Sequence, residues 1–149
     1  MLTLFLLAVA APEDTPLTLV CDGGGSANRS TSSTAWASDN NGNTAQATVT
    51  GRRSQGFADQ VDLVIDGDNS RIRMPRTMLP KLHGGSDGWF KLKNLKVAPE
   101  SYSGSAAVNF MNNPKVYVDR RTGSISISGK AGDYSGRCER LEAGAATKF

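Results

Sequence analysis

The chain has 149 residues, 17 basic and 14 acidic side chains and a formal net charge of +3. This length predicts one domain with a substantial buried core, and so slight a charge gives no indication of a nucleic-acid partner. The 16 glycines suit strands joined by tight turns, because glycine adopts the positive φ values that turns require.

The N-terminus has the pattern of an export signal. An apolar run ends in Ala8-Val9-Ala10, a small-x-small cleavage site. We therefore predict a signal peptide over residues 1–10, a mobile leader over residues 11–16 and a periplasmic or secreted protein. The run is shorter than the roughly 20 apolar residues that cross a bilayer, so we expect no membrane span in the mature chain.

Cys21 and Cys138 are the two cysteines of the chain. In an exported protein two cysteines most simply form a disulfide, and no Cys-x-x-Cys spacing indicates a metal or redox pair. We therefore predict a disulfide between the first and the last strand.

The first third of the chain predicts one strand followed by a hairpin. Residues 17–21 are apolar enough for a strand, and the glycines at 23–25 predict a turn after it. Residues 31–38 and 44–50 predict a hairpin across an Asn-Gly turn. They contain few large apolar side chains, so we expect a peripheral pair, followed by a polar connection at residues 52–55.

Residues 57–66 alternate as a half-buried strand, with Val61, Leu63 and Ile65 on one face. Residues 71–74 are predicted to pair back across a loop of either four or two residues. Both registers keep the same side chains on each face. Either register places Ile72 and Met74 in the core and Arg71 and Arg73 opposite aspartates.

Residues 75–87 interrupt this pattern with two prolines, two glycines and the one histidine. We predict a short helical turn here that plugs one end of the sheet through Met78, Leu79 and Leu82. As the longest irregular connection, this segment is the best candidate for a working loop. The strand at residues 88–97 then places Trp89, Lys91 and Lys93 on one face, and Phe90 and Leu92 on the other.

Basic side chains beside an aromatic ring suit an anionic polymer, although the same pattern is typical of a solvated strand face. The candidate binding residues are Arg76, Lys81, His83, Trp89, Lys91 and Lys93.

Residues 102–138 predict an antiparallel meander. Val118 pairs with Ile125 and Val116 with Ile127, which brings two apolar rows together. Three further side chains, Ala106, Val108 and Phe110, are expected on that same face. Tyr134, Gly136 and Cys138 alternate along the last strand, and residues 141–149 are predicted to be a tail.

These elements predict an all-β fold of about eight strands over residues 17–140. The fold is an antiparallel barrel or sandwich, mostly up-and-down, whose disulfide joins its first and last strands. The stretches NNPKVYVDRRTGSISISGKAGDYSGRC, RIRMPRTMLP and WFKLKNLKV resemble uncharacterised small exported β-sheet proteins of Gram-negative bacteria. The resemblance implies export and brings no activity or site residues with it.

The sequence lacks a nucleophile with a base, a carboxylate pair and a metal cluster, so we expect no enzymatic activity and no cofactor. The first hypothesis is a monomeric β-domain that binds an envelope component or another protein. A second is a periplasmic inhibitor of a hydrolase such as lysozyme, with Lys81 or Lys130 entering an acidic cleft. A third is a small hydrolase with an unrecognised site, and a hollow barrel would instead indicate a small apolar ligand carrier.

Overall fold

The computed structural model of the protein describes residues 16–141, and these form a closed antiparallel barrel. Each strand pairs with its neighbours in sequence, and the first pairs with the last. The all-β, up-and-down prediction is confirmed, with a barrel as the architecture. The strands are β1 (Leu17–Ser38), β2 (Thr44–Ile65), β3 (Arg71–Arg73), β4 (Trp89–Val97), β5 (Ser101–Ala106), β6 (Lys115–Asp119), β7 (Ser124–Gly129) and β8 (Gly132–Leu141).

The barrel is closed by the predicted disulfide. Cys21 of β1 lies directly opposite Cys138 of β8, with their Cα atoms 3.9 Å apart. Two residues further along, Gly23 faces Gly136 across the same seam, where a Cβ on Gly23 would overlap the backbone of Ser135. Small residues therefore let β1 and β8 approach closely beside the disulfide.

The interior is filled by alternate side chains of the strands, as their period predicts. Val118 pairs with Ile125 and Val116 with Ile127, so the predicted register of the meander is confirmed. The space left among Leu63, Leu92, Tyr102, Val116 and Val118 is about 10 Å³, which barely holds one water molecule.

The faces predicted for the hairpin of β2 and β3 are confirmed, but its connection is longer than either predicted loop. The last pair is Val64↔Arg71, so Arg71, unlike Arg73, does not lie opposite an aspartate. Leu63 pairs with Ile72, which is fully buried, and Asp62 lies opposite Arg73. The Arg73 Nε donates a hydrogen bond of 2.7 Å to the Asp62 carboxylate. This ion pair closes the polar face of the hairpin while the other face joins the core.

The predicted turn at residues 23–25 and the predicted connection at residues 52–55 are wrong. β1 and β2 are each 22 residues long and pair without interruption from Leu17↔Ile65 to Ser38↔Thr44. The glycines serve the close approach of β8, where a Cβ on Gly25 would overlap the Asp133 backbone. Glycine is used here for its missing side chain, not for a positive φ.

The predicted inward position of Phe110 is also wrong. β5 ends at Ala106, and Val108 is still buried, but the Phe110 side chain is 92% exposed. The Asn109 carboxamide oxygen accepts the amide protons of Met111 and Asn112, which bends the chain away from the strand direction. The alternation therefore stops one residue after Val108.

The segment after β3 contains the predicted helical plug. A 3-10 turn at Arg76–Met78 buries Met78, which is 1% exposed. Leu82, which was predicted to plug the barrel too, is instead 85% exposed. The predicted signal peptide at residues 1–10, the leader except for Pro16, and the tail beyond Leu141 lie outside the described residues.

We expect the loss of the disulfide to lower the free energy of unfolding by about 4 kcal/mol, because it removes the cross-link that restricts the unfolded chain. Urea denaturation of a Cys21→Ala/Cys138→Ala variant measures this loss. Dithiothreitol-treated wild-type protein is the control for cavity effects and should unfold at a similar urea concentration. Equal midpoints for the oxidised wild type and the variant would contradict the prediction.

The buried Tyr134 predicts a loss of stability at alkaline pH. Its hydroxyl donates a hydrogen bond of 2.8 Å to the Asp59 carbonyl. Burial, followed by the charges of Asp22, Asp59 and Asp62, raises the pKa of Tyr134 to about 12 from 10.0. The unfolded chain thus releases this proton first, so stability is lost between about pH 10 and pH 12.

Tyr134→Phe should therefore lose less stability over that pH interval than the wild type. At neutral pH it should be less stable by about 1 kcal/mol, because the Asp59 carbonyl loses its donor. Urea titrations at several pH values test both effects. The exposed Tyr117→Phe is the matched control and should retain the full alkaline loss.

Candidate binding end of the barrel

The strands alternate in direction, so the connections that follow β1, β3, β5 and β7 all lie at one end, which we call the arm end. β8 accompanies β1 only as far as the pair Ala27↔Gly132. Beyond it, β1 and β2 continue as a two-stranded ribbon, the arm (residues 28–54). The arm extends roughly 35 Å from the barrel at about 3.3 Å per residue.

The arm has an unusual composition for an ordered segment. Every residue from 28 to 56 is exposed, and the large apolar side chains are Trp36 and Val49, at 71% and 66% exposure. Serine, threonine and alanine make up most of the rest, and the hydroxyls of Thr34 and Thr48 lie 3.5 Å apart across the strands. The arm therefore contributes nothing to the core of its own barrel.

The tip of the arm is fixed by one carboxylate. Asp39 accepts the backbone N–H groups of Asn41 and Asn43 at 2.9 and 2.8 Å, and the Asn43 side-chain amide at 3.0 Å. These hydrogen bonds, led by the backbone N–H of Asn43, hold the pKa of Asp39 below its usual value. The predicted Asn-Gly turn is confirmed, with Gly42 at a φ of 81°.

Two loops lie beside the base of the arm and are joined to each other. The Gly84 amide donates to the Val108 carbonyl at 2.9 Å, and the Asn109 side chain donates to the Leu82 carbonyl at 3.0 Å. These bonds fix the backbone on either side of three exposed apolar side chains. Those side chains are Leu82, Phe110 and Met111, at 85%, 92% and 63% exposure.

Cationic side chains lie at the same end of the barrel as these apolar tips. Seven are contributed by the arm base, the loops and the adjoining strand ends: Arg29, Arg52, Arg53, Arg76, Lys81, Lys115 and Lys130. Acidic side chains at this end are fewer, namely Asp39, Asp87 and Asp133. Within residues 16–141 the ion pairs are Arg73–Asp62 and Arg121–Glu100, so none of the seven cations has a carboxylate partner there.

Two open clefts connect the cations to the rest of the arm end. One, of about 600 Å³, brings Arg52 and Lys81 together with the hydroxyls of Ser30, Ser32 and Thr50. Paired cations and hydroxyl donors are the groups that bind phosphate-like anions.

The second cleft, also of about 600 Å³, lies between Met111, Lys115 and Lys130. The Asn28 side chain donates to the Lys130 carbonyl at 3.2 Å, which ties this turn to the arm base. Apolar tips and cations thus follow one another around the arm end.

The structure divides the six predicted binding residues into two groups. Arg76, Lys81 and His83 lie in the loop at the arm end. Trp89, Lys91 and Lys93 lie on β4, where the two lysines are exposed on the outer wall. No single surface therefore collects all six residues.

Two of the six residues have structural partners. The Arg71 guanidinium lies 5.5 Å from the centre of the Trp89 ring, so a cation covers that ring. His83 donates from Nδ1 to the Gly84 carbonyl at 2.8 Å and sets its ring edge-on to Phe90 at 5.7 Å. Both contacts stabilise the loop and the top of β4.

Sequence reasoning missed the exposed apolar tips, and it predicted the arm only in part, as a peripheral hairpin at residues 31–38 and 44–50. Phe110 and Met111 directly precede Asn-Asn-Pro, and a turn signal so close is a reason to end the strand earlier. The arm was indicated by the stretch at residues 28–56, in which large apolar residues are too sparse for a core-facing row.

Comparisons with family models, with characterised proteins and with solved structures found no match for this chain. In the part of the chain that the structure describes, no three His, Cys, Asp or Glu side chains are grouped as metal ligands. Between residues 16 and 141 there is also no helix that is long and apolar enough to cross a membrane.

The arm predicts an alternating pattern of hydrogen exchange. The Asn28 amide bonds to the Ala131 carbonyl on the β8 side, so the amides of Ser30, Ser32 and Thr34 point to the same, open side. In dilute solution we expect these amides to exchange faster than those of Thr31 and Ser33, which face β2. Residue-resolved exchange by NMR measures this, and uniform rates along the arm would contradict it.

Proposed function

We propose that this protein is an exported, non-enzymatic β-barrel that binds an anionic lipid surface of the bacterial envelope through its arm end. The observation that carries the proposal is the group of exposed apolar side chains, Leu82, Phe110 and Met111, among cations without carboxylate partners. Exposed apolar tips flanked by basic residues are typical of proteins that rest on a membrane interface.

The magnitudes favour a lipid surface over bulk water. Burial of one such apolar side chain is worth about 1.5–3 kcal/mol. A lysine or arginine near an anionic leaflet adds about 1 kcal/mol. Neither apolar burial nor charge attraction alone gives firm attachment to the lipid surface. The arm end supplies both, and together they are sufficient.

Export is part of the proposal and has three supports. The Cys21–Cys138 disulfide fits an oxidising compartment. The apolar run at residues 1–10 has the pattern of a signal peptide, and the C-terminal half resembles small exported proteins of Gram-negative bacteria. Together they favour the periplasm or secretion.

The alternatives have less support. Among Leu63, Leu92 and Val116 the interior space is about 10 Å³, so an apolar ligand would have to use the open cleft of about 250 Å³ beside Leu17, Leu19 and Tyr102 at the opposite end. Inhibition of a hydrolase such as lysozyme uses Lys81 or Lys130 from the same end of the barrel, but it gives no reason for the exposed Phe110. A lysozyme turbidity assay distinguishes it, since a lipid-binding protein leaves the lysis rate unchanged.

Cosedimentation with phosphatidylglycerol-containing vesicles tests the proposal. We expect binding to these vesicles, weaker binding at high salt, and little binding to pure phosphatidylcholine. Leu82→Ser and Phe110→Ser should each weaken binding about tenfold or more, as the burial energies imply. Lys81→Glu should weaken binding and reduce its salt dependence.

Two substitutions at the opposite end of the barrel are matched controls. Val97→Ser removes an apolar side chain that is 61% exposed at the end of β4, and Lys96→Glu reverses a charge beside it. Both should bind vesicles like the wild type. No binding by the wild type, or equal losses in the controls, would contradict the proposal.

A further inference from the structure

We propose that the arm is a self-association site, in which β1 of one copy pairs with β1 of a second copy. The product is a four-stranded antiparallel sheet in the order β2, β1, β1 and β2. This inference rests on the backbone and charge of the arm and is independent of lipid binding.

The first support is that the arm forms a regular ribbon although it buries none of its side chains. Residues 28–56 are all exposed, yet the pairing of β1 and β2 continues unbroken to Ser38↔Thr44. A two-stranded ribbon alone is marginally stable in water, and three or more strands are needed for independent stability. A second arm supplies the missing strands.

The second support is the absence of edge protection. Natural proteins guard exposed edges with lysine, proline, bulges or short strands. Residues 30–38 of β1 contain no charged residue, no proline and no bulge. The edge is therefore long, neutral and available to another strand.

The direction of the backbone groups shows which edge is open. Because the Asn28 amide points to the β8 side, alternation directs the N–H and C=O groups of Ser30, Ser32, Thr34, Trp36 and Ser38 to that side as well. β8 begins at Gly132, opposite Ala27, so this row of β1 has no neighbouring strand.

The row of N–H and C=O groups that points outward from β2 is less suitable for pairing with a second copy. It includes Arg52, which shares a cleft with Lys81. The row on β1 carries no charge, so β1 is the edge we assign to the contact.

A two-fold axis at Thr34 gives a closed dimer with complementary charges. In that register Thr34 faces Thr34 of the second copy, and Ser30 faces Ser38. The five outward residues of each strand exchange about ten backbone hydrogen bonds. The carboxylate of the arm, Asp39, then lies beside Arg29 of the second copy. A two-fold contact of this kind closes on itself and stops at two copies.

Analytical ultracentrifugation over a concentration series tests the dimer. We expect a reversible monomer–dimer equilibrium for the wild type, with Thr34→Pro raising the dissociation constant by at least tenfold. Proline there removes an outward N–H and leaves the bonds to β2 in place. Thr48→Pro is the matched control, since Thr48 lies directly opposite Thr34 and its N–H points to the other edge; it should dimerise like the wild type.

Hydrogen exchange on the wild-type protein gives a second measurement that needs no variant to fold. With rising concentration the amides of Ser32, Thr34 and Trp36 should become protected, while those of Gln46 and Thr48 should not. A wild type that stays monomeric up to about 1 mM would overturn the proposal. Three other results would also overturn it: concentration-dependent protection of the Gln46 or Thr48 amide, loss of the dimer in Thr48→Pro, and growth beyond two copies.

Discussion

The pairing of β1 with β8 is the contact on which the rest of the structure depends. It turns a linear meander into a closed barrel, so that β1 and β8 lose their free edges along the residues they pair. The Cys21–Cys138 link and the glycine contact of Gly23 with Gly136 hold this seam where the two backbones come closest. A filled interior follows, because every inward row meets another across a narrow barrel.

The same seam also defines the exposed part of the molecule. β8 is shorter than β1, and the pairing stops at Ala27↔Gly132. Everything that β1 and β2 add beyond that point lies outside the core and consists mostly of serine, threonine, alanine and other small residues. The loops after β3 and β5 close the barrel beside it, so apolar tips, cations and an open strand edge all occur at one end.

Much of the fold could be predicted from the sequence, because the side chains that face the core are apolar and those that face solvent are polar along most strands. Val116, Val118, Ile125 and Ile127 specify their register through that contrast. The glycines at 23–25 were misassigned because one residue type serves both turns and close backbone approach, and only the position of β8 separates the two uses. Phe110 was misassigned because the carboxamide of the preceding Asn109 ends the alternation, which periodicity does not reveal. For the candidate site, the irregular segment that carries Arg76, Lys81 and His83 was recognised by its prolines and glycines, but the exposure of Leu82 depends on how two loops meet.

The two ends of the described segment give the molecule a polarity. Thr18 pairs with Leu141 at the end of the barrel opposite the arm, and the disulfide lies between the two ends of β1. A fluorophore or surface linkage attached at this end of the barrel would therefore leave the arm end unobstructed. Immobilised in that way, the protein would present its loops and its open strand edge outward in a common orientation.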